Sequence, residues 1–184
     1  MLSKTVQHKR PAVFLDRDGV ICKALPRGEY LIDWSQFEPL EGIHEFLDEA
    51  QKKGYLIFVV TNQGAIAKGL LAEEKLIDIH EKMAGIFKTK FNAIYYCPHH
   101  DVHGCECRKP KSGMLRSAEQ EFNVDPARSF MIGDSDKDIG AGREFGAKTV
   151  FLKNEFNTHE LAKCEPDFIV DTLLEALQHI PHAS

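Results

Sequence analysis

The stretch Ala12-Val13-Phe14-Leu15-Asp16-Arg17-Asp18-Gly19-Val20 decides how this chain folds. Four apolar residues run directly into an acidic pair and a glycine. A short apolar run of this kind, closed by a turn signal, reads as a strand buried on both faces. The acidic pair then stands where the strand ends, and Gly19 lets the backbone turn.

Working outward, strands and helices alternate. Helical spacing of Ile43, Phe46, Leu47 and Ala50 predicts a helix over Gly42–Lys53, and Tyr55–Val60 predicts a second buried strand. Helices follow over Ala72–Phe87, Met114–Phe122 and Asp138–Phe145, with a closing one over Thr172–Ile180. Further strands are expected at Ala93–Tyr96, Ser129–Ile132, Lys148–Leu152 and Phe168–Val170. This order implies an α/β fold with one open, doubly wound parallel sheet. Ligands of such sheets sit beyond the carboxyl ends of the strands. Asp16, Thr61 and Asp134 each follow a strand, so three separate stretches deliver polar groups to one edge.

The chain has 184 residues, of which 43% are hydrophobic and 28% charged, consistent with one domain over residues 1–184. A net charge of −5 argues against nucleic acid or an anionic membrane as the main partner. No run is long enough to cross a bilayer, and Met1–Arg10 has no apolar segment of the signal-peptide kind. A cytoplasmic, monomeric protein is the expectation.

The acidic pair has a definite chemistry available to it. Phosphoryl transfer needs an in-line nucleophile, neutralised charge and a proton for the leaving oxygen. Asp16 is the candidate nucleophile. Asp18 is the candidate acid, and then the base for the water that cleaves an aspartyl-phosphate. Carboxylates facing a phosphate call for a hard cation, and Mg²⁺ suits oxygen ligands best. Asp134, in Gly133-Asp134-Ser135-Asp136-Lys137-Asp138, completes that set, with Asp138 as an orienting or helix-start carboxylate. In Val60-Thr61-Asn62-Gln63, Thr61 is placed to hold phosphate oxygens and Asn62 to orient substrate. In Cys107-Arg108-Lys109-Pro110, Lys109 offsets transition-state charge and Arg108 offers a flat fork to a second polar part of the substrate.

Together, Asp-x-Asp-Gly-Val, apolar-Thr-Asn-Gln, Cys-Arg-Lys-Pro and Gly-Asp-x-x-x-Asp resemble the haloacid dehalogenase superfamily of phosphatases from about Ala12 to Leu152. Tyr95-Tyr96-Cys97-Pro98-His99-His100 and Gly113-Met114-Leu115 are similar to its histidinol-phosphatase-like branch. Within it the heptose-bisphosphate phosphatases match best, with histidinol-phosphate phosphatases as the second reading. A non-catalytic zinc-stabilised module is a third, from a different class.

The resemblance implies Asp16 as nucleophile, Asp18 as proton donor, and Thr61 and Lys109 as stabilisers of the phosphoryl group. It implies Mg²⁺ on Asp16, the Asp18 carbonyl and Asp134. Arg17, Asn62, Gln63, Arg108 and Ser135 form the expected substrate-contact set. Ser135 departs from the basic residue that the family often carries after the metal-binding Asp.

Cys97, Cys105 and Cys107 supply three thiolates, and an imidazole from His99, His100 or His103 would complete a tetrahedral structural zinc site. The resemblance selects His99. A metal there would replace the hydrophobic core that the irregular segment lacks. Cys22 and Cys164 read as ordinary, partly buried thiols. No interval between the motifs is long enough for a separate cap domain, and Ala24–Leu31 is either a flap over the substrate or an inert loop.

Overall fold

A computed structural model describes residues 8–183, so most of the Met1–Arg10 reading lies outside the described residues. In chain order the elements are β1 (Ala12–Leu15), α1 (Ile43–Lys52), β2 (Leu56–Asn62), α2 (Gly64–Ala67), α3 (Glu73–Ile86), β3 (Ala93–Cys97), α4 (Gly113–Phe122), β4 (Phe130–Gly133), α5 (Asp136–Phe145), β5 (Lys148–Leu152), α6 (Thr158–Leu161), β6 (Phe168–Val170) and α7 (Leu173–Ala176). All six strands join one parallel sheet in the order β3-β2-β1-β4-β5-β6. The winding reverses between β1 and β4, which is where a ligand crevice is expected in such a sheet.

Both faces of the sheet are covered. Val13, Leu15, Ile57 and Val59 pack with α1 and α7 on one side, while Ala12, Phe14, Phe58 and Val60 pack with α4 and α5 on the other. Alternate residues of β1 thus enter opposite cores, and all four are fully buried. That is why its sequence is a continuous apolar run rather than an alternating one. A third cluster joins Cys22 and Leu31 to Ala65, Leu71, Leu76 and Ile79. It ties the Ala24–Leu31 segment down, so Cys22 is a core residue rather than a partly exposed thiol.

Three local readings change. α5 starts at Asp136, two residues before the expected Asp138. Ser135 caps it, its hydroxyl donating to Asp138 at 2.6 Å while the Ser135 amide donates to the same carboxylate at 3.1 Å. The closing helix is a short α7 followed by a tighter 3₁₀ turn over Leu177–His179. The short helices α2 and α6 follow β2 and β5 in stretches too brief to show a periodicity. Among the described residues no helix is long and apolar enough to cross a membrane.

Candidate active site

β1 and β4 are paired in register Leu15↔Ile132, so Asp16 and Asp134 leave the sheet side by side at the point where its winding reverses. Gly19 makes the approach close enough. Its φ is +88°, and a Cβ there would stand 2.2 Å from the Asp134 carboxylate. Asp134 is held from the other side by Asn154 Nδ2 at 2.9 Å, and its carbonyl accepts from Asn157 at 3.0 Å. Neither asparagine was singled out from the sequence. Asn154 follows β5 closely, so the rule of strand ends could have found it.

Lys109 binds the acidic groups together. Its ammonium is buried, 2.9 Å from Asp16 Oδ1, 2.5 Å from Asp138 Oδ1, and donates to the Val60 carbonyl at 2.7 Å. Burial alone would lower its pKa, but Asp138 and Asp16 outweigh that and raise it, so it is a cation. Lys109 is the ion-pair partner of Asp16 Oδ1, and its single charge is shared with Asp138. One ammonium shared between two of three clustered buried carboxylates leaves negative charge uncompensated, and that excess calls for a further cation. Carboxylate oxygens of Asp16, Asp134 and Asp138 come within 4.8 Å of one another, which fits a hard divalent ion. Of the three, Asp138 is already engaged by Lys109 and Ser135, leaving Asp16 and Asp134 facing the cavity.

Burial pushes the Asp16 carboxyl up to about 7; Lys109 opposes the rise, and Asp138 and Asp18 add to it. Asp134 is raised well above its ordinary value, by burial first and then by Asp138 and Asp16. Between the unfolded carboxyl value near 4 and about 7, the folded chain therefore holds a proton that the unfolded chain has lost. Without metal, stability falls as pH rises through that window. Mg²⁺ competes with the proton, so the rise in melting temperature on adding Mg²⁺ is expected to be larger at about pH 8 than at about pH 5. Equal rises in a thermal-shift series would contradict this.

Asp18 does not join the carboxylate cluster through its side chain. Arg17 holds it in a two-pronged grip, Nε to Oδ1 at 2.9 Å and Nη2 to Oδ2 at 2.8 Å. Burial raises the Asp18 pKa, but the Arg17 charge and hydrogen bonds from Arg17, Gln63 and Cys22 leave it lowered. Arg17 itself is 1% exposed. It also donates to Gln63 Oε1 at 3.2 Å and meets His80 Nε2 at 3.3 Å. Four of its five N–H groups are used inside the protein, and the residue also lines the cavity, as the expected substrate contact requires.

Three other substrate candidates line the cavity and also bond within the protein. Asn62 exchanges hydrogen bonds with the Lys109 peptide, both 3.0 Å. Gln63 donates to Thr61 Oγ1 at 2.8 Å and reaches Asp18 Oδ2 at 3.4 Å. Ser135 is the α5 cap described above. Arg108 is different, because it stands at the cavity rim. It donates to the His99 carbonyl at 3.0 Å and pairs with Asp101. Lys137 stands at the same rim, 3.9 Å from Asp101. It was not singled out, because a lone lysine in a helix's first turn carries no signal.

These groups line a cavity of about 370 Å³, with Leu25 and Tyr30 of the Ala24–Leu31 segment along one wall. A second cavity of about 420 Å³ beyond Gly19 is more apolar, lined by Leu40, Leu152 and Leu173 among others. It holds none of the Asp16, Asp18 and Asp134 carboxylates, so the chemistry belongs to the first.

Beside that cavity, Cys97, His99, Cys105 and Cys107 form a second candidate metal group. Cys107 Sγ lies 3.2 Å from Cys97, 3.4 Å from Cys105 and 3.3 Å from His99 Nδ1, and Cys97 lies 3.6 Å from Cys105 and from His99. Sulfurs bonded to one tetrahedral zinc at about 2.3 Å would stand roughly 3.8 Å apart, so the four groups are gathered to nearly the required spacing. Of the histidines that were candidates, His99 faces the sulfurs, while His100 and His103 bond to each other's turn.

The HAD-hydrolase-like family model matches residues 106–176. The chain is 38% identical over 183 residues to a Vibrio cholerae protein named D-glycero-beta-D-manno-heptose-1,7-bisphosphate 7-phosphatase, covering 94% of this chain and 95% of that one. It is 41% identical over 150 residues to a Campylobacter jejuni protein named the alpha counterpart, covering 80% and 84%. A solved D,D-heptose 1,7-bisphosphate phosphatase from B. bronchiseptica, complexed with magnesium and phosphate, superposes with a TM-score of 0.82 at 27% identity, covering 92% of this chain and 99% of that one.

Proposed function

This chain belongs to the heptose-1,7-bisphosphate 7-phosphatase family of HAD-like hydrolases, and from that premise we propose that it removes the 7-phosphate of D-glycero-D-manno-heptose 1,7-bisphosphate. The observation that carries the reading is the gathering of the Asp16, Asp134 and Asp138 carboxylates at the crevice, with the Lys109 ammonium shared between Asp16 and Asp138. The names of the relatives favour the heptose bisphosphate over histidinol phosphate. The intact set Asp16, Asp18, Thr61, Lys109 and Asp134 speaks against a non-catalytic module.

Asp16 attacks phosphorus, and the bond from phosphorus to the sugar oxygen breaks as that oxygen takes a proton from Asp18. Water then attacks the aspartyl-phosphate, its proton passes to Asp18, and Asp16 is released. The grip of Arg17 favours ionised Asp18, and the negative charge of the arriving phosphate opposes that grip. Lys109 and Thr61 neutralise and hold the phosphoryl oxygens. Mg²⁺ on Asp16, the Asp18 carbonyl and Asp134 would supply charge neutralisation for the same oxygens. Arg108, with Lys137 beside it, suits the distal phosphate, for which both would have to leave Asp101. Zinc on Cys97, His99, Cys105 and Cys107 would hold this segment in place without taking part in the reaction. A cytoplasmic monomer without nucleic-acid or membrane partners completes the proposal.

Phosphate release with Mg²⁺ from both anomers of the heptose bisphosphate and from histidinol phosphate tests it. A heptose anomer is expected to be preferred at least roughly tenfold in kcat/KM, since a site built for two phosphates leaves charges unpaired with one. Preference for histidinol phosphate would overturn the assignment. Because relatives of both anomeric names match, the same panel decides the anomer.

A further inference from the structure

His80 lies on α3, where the other buried residues, Leu76, Ile79 and Met83, are apolar. It is 6% exposed, and a buried imidazole in such surroundings needs a polar partner. The partner is Arg17 Nη1, at 3.3 Å from His80 Nε2. A guanidinium has donors only, so Nε2 is the unprotonated nitrogen and the ring is neutral with its proton on Nδ1. Burial and then the Arg17 charge push the His80 pKa down to about 3, in agreement with the geometry. The ring packs edge-on against Tyr96, centroids 5.9 Å apart, and the Tyr96 hydroxyl donates to Glu73 at 2.7 Å.

The other partners of Arg17, Asp18 and Gln63, belong to the loops of the site itself. His80 is its anchor in the scaffold. We propose that His80 is a positioning residue which, through Arg17, sets the direction in which Asp18 faces the leaving oxygen. The guanidinium is a rigid plane. Fixing its Nη1 corner fixes the Nε–Nη2 edge that grips both Asp18 oxygens. Without the acceptor at position 80 the plane is free to tilt, and the carboxylate tilts with it. The inference rests on the reading of Asp18 as proton donor.

His80→Asn and His80→Gln test it, because only the glutamine oxygen reaches the place of Nε2. Each variant is assayed with Mg²⁺ on heptose 1,7-bisphosphate, whose alkoxide must be protonated to leave, and on p-nitrophenyl phosphate, whose phenolate leaves without a proton. kcat/KM reports steps up to the aspartyl-phosphate. His80→Asn is expected to lower kcat/KM about tenfold on the sugar ester and to leave kcat/KM of the aryl ester unchanged, because the later base role of Asp18 enters kcat alone. His80→Gln is expected to restore the sugar rate.

Equal losses of kcat/KM on both esters, no loss on the sugar ester, or a glutamine variant no better than the asparagine one would each overturn the proposal. If the asparagine chain does not fold, His80→Leu, which fills the space without an acceptor for Arg17, takes its place: a loss confined to the sugar ester supports the proposal, and equal losses or none overturn it. The functional reading is tested separately by the wild-type chain. Aryl ester cleavage without sugar bisphosphate cleavage overturns the substrate, and the His80 comparison then runs on the alkyl monoester that the substrate panel selects.

Discussion

Asp16→Asn is expected to reduce Mg²⁺-dependent phosphate release by at least about 10⁴-fold while leaving the fold intact. The amide keeps the shape of the carboxylate but cannot form the acyl phosphate, and no neighbour can take its place. Asp138 is fully buried against Lys109 and Ser135, and Asp18 is turned onto Arg17. The substitution is also structurally mild. The amide relieves the site of one of its crowded buried negative charges. Two measurements check this: phosphate release under saturating substrate, and thermal unfolding. Activity above about 1% of wild type in a folded variant would remove Asp16 from the nucleophile's role.

Cys107→Ser is expected to abolish zinc binding and to lower kcat/KM by roughly a hundredfold. The segment between β3 and α4 has little apolar support, and its Val102 is 82% exposed. What gathers it is the cluster of three sulfurs and one imidazole. Burial and the adjoining thiols push the Cys107 pKa up to about 12, which a bound cation would reverse. Lys109 lies two residues further on. If the segment loosens, its ammonium leaves the space between Asp16 and Asp138, and two buried carboxylates lose their counter-charge. Breaking a buried pair in this way costs about 3–5 kcal/mol. Elemental analysis should find about one zinc per wild-type chain and none in the variant. Wild-type protein free of zinc yet fully active would contradict the proposed brace.

β1 was legible because its run of four apolar residues, closed by the acidic pair and Gly19, is too short for a buried helix and suits a strand covered on both faces. The placement of Asp16, Thr61 and Asp134 at one edge followed from the parallel order alone. The α5 start was legible but misread, since Ser135 followed three residues later by Asp138 is a capping pattern. The sequence places Arg17 and Asn62 beside catalytic residues, and both line the cavity, but their partners within the protein are not legible from it. Arg17 turns inward to meet His80, 63 positions away, and Asn62 turns to the Lys109 peptide, 47 positions away.

The sequence by itself determined where the chain changes from strand to turn, and therefore which carboxylates reach the crevice and which thiols share a loop. These follow from local apolar patterning and short spacings. Only the tertiary structure decided what each polar side chain touches: Lys109 between Asp16 and Asp138, Arg17 between Asp18 and His80, Arg108 against Asp101. A buried charge must find its partner wherever packing brings one within reach, and that distance along the chain leaves no mark in the sequence.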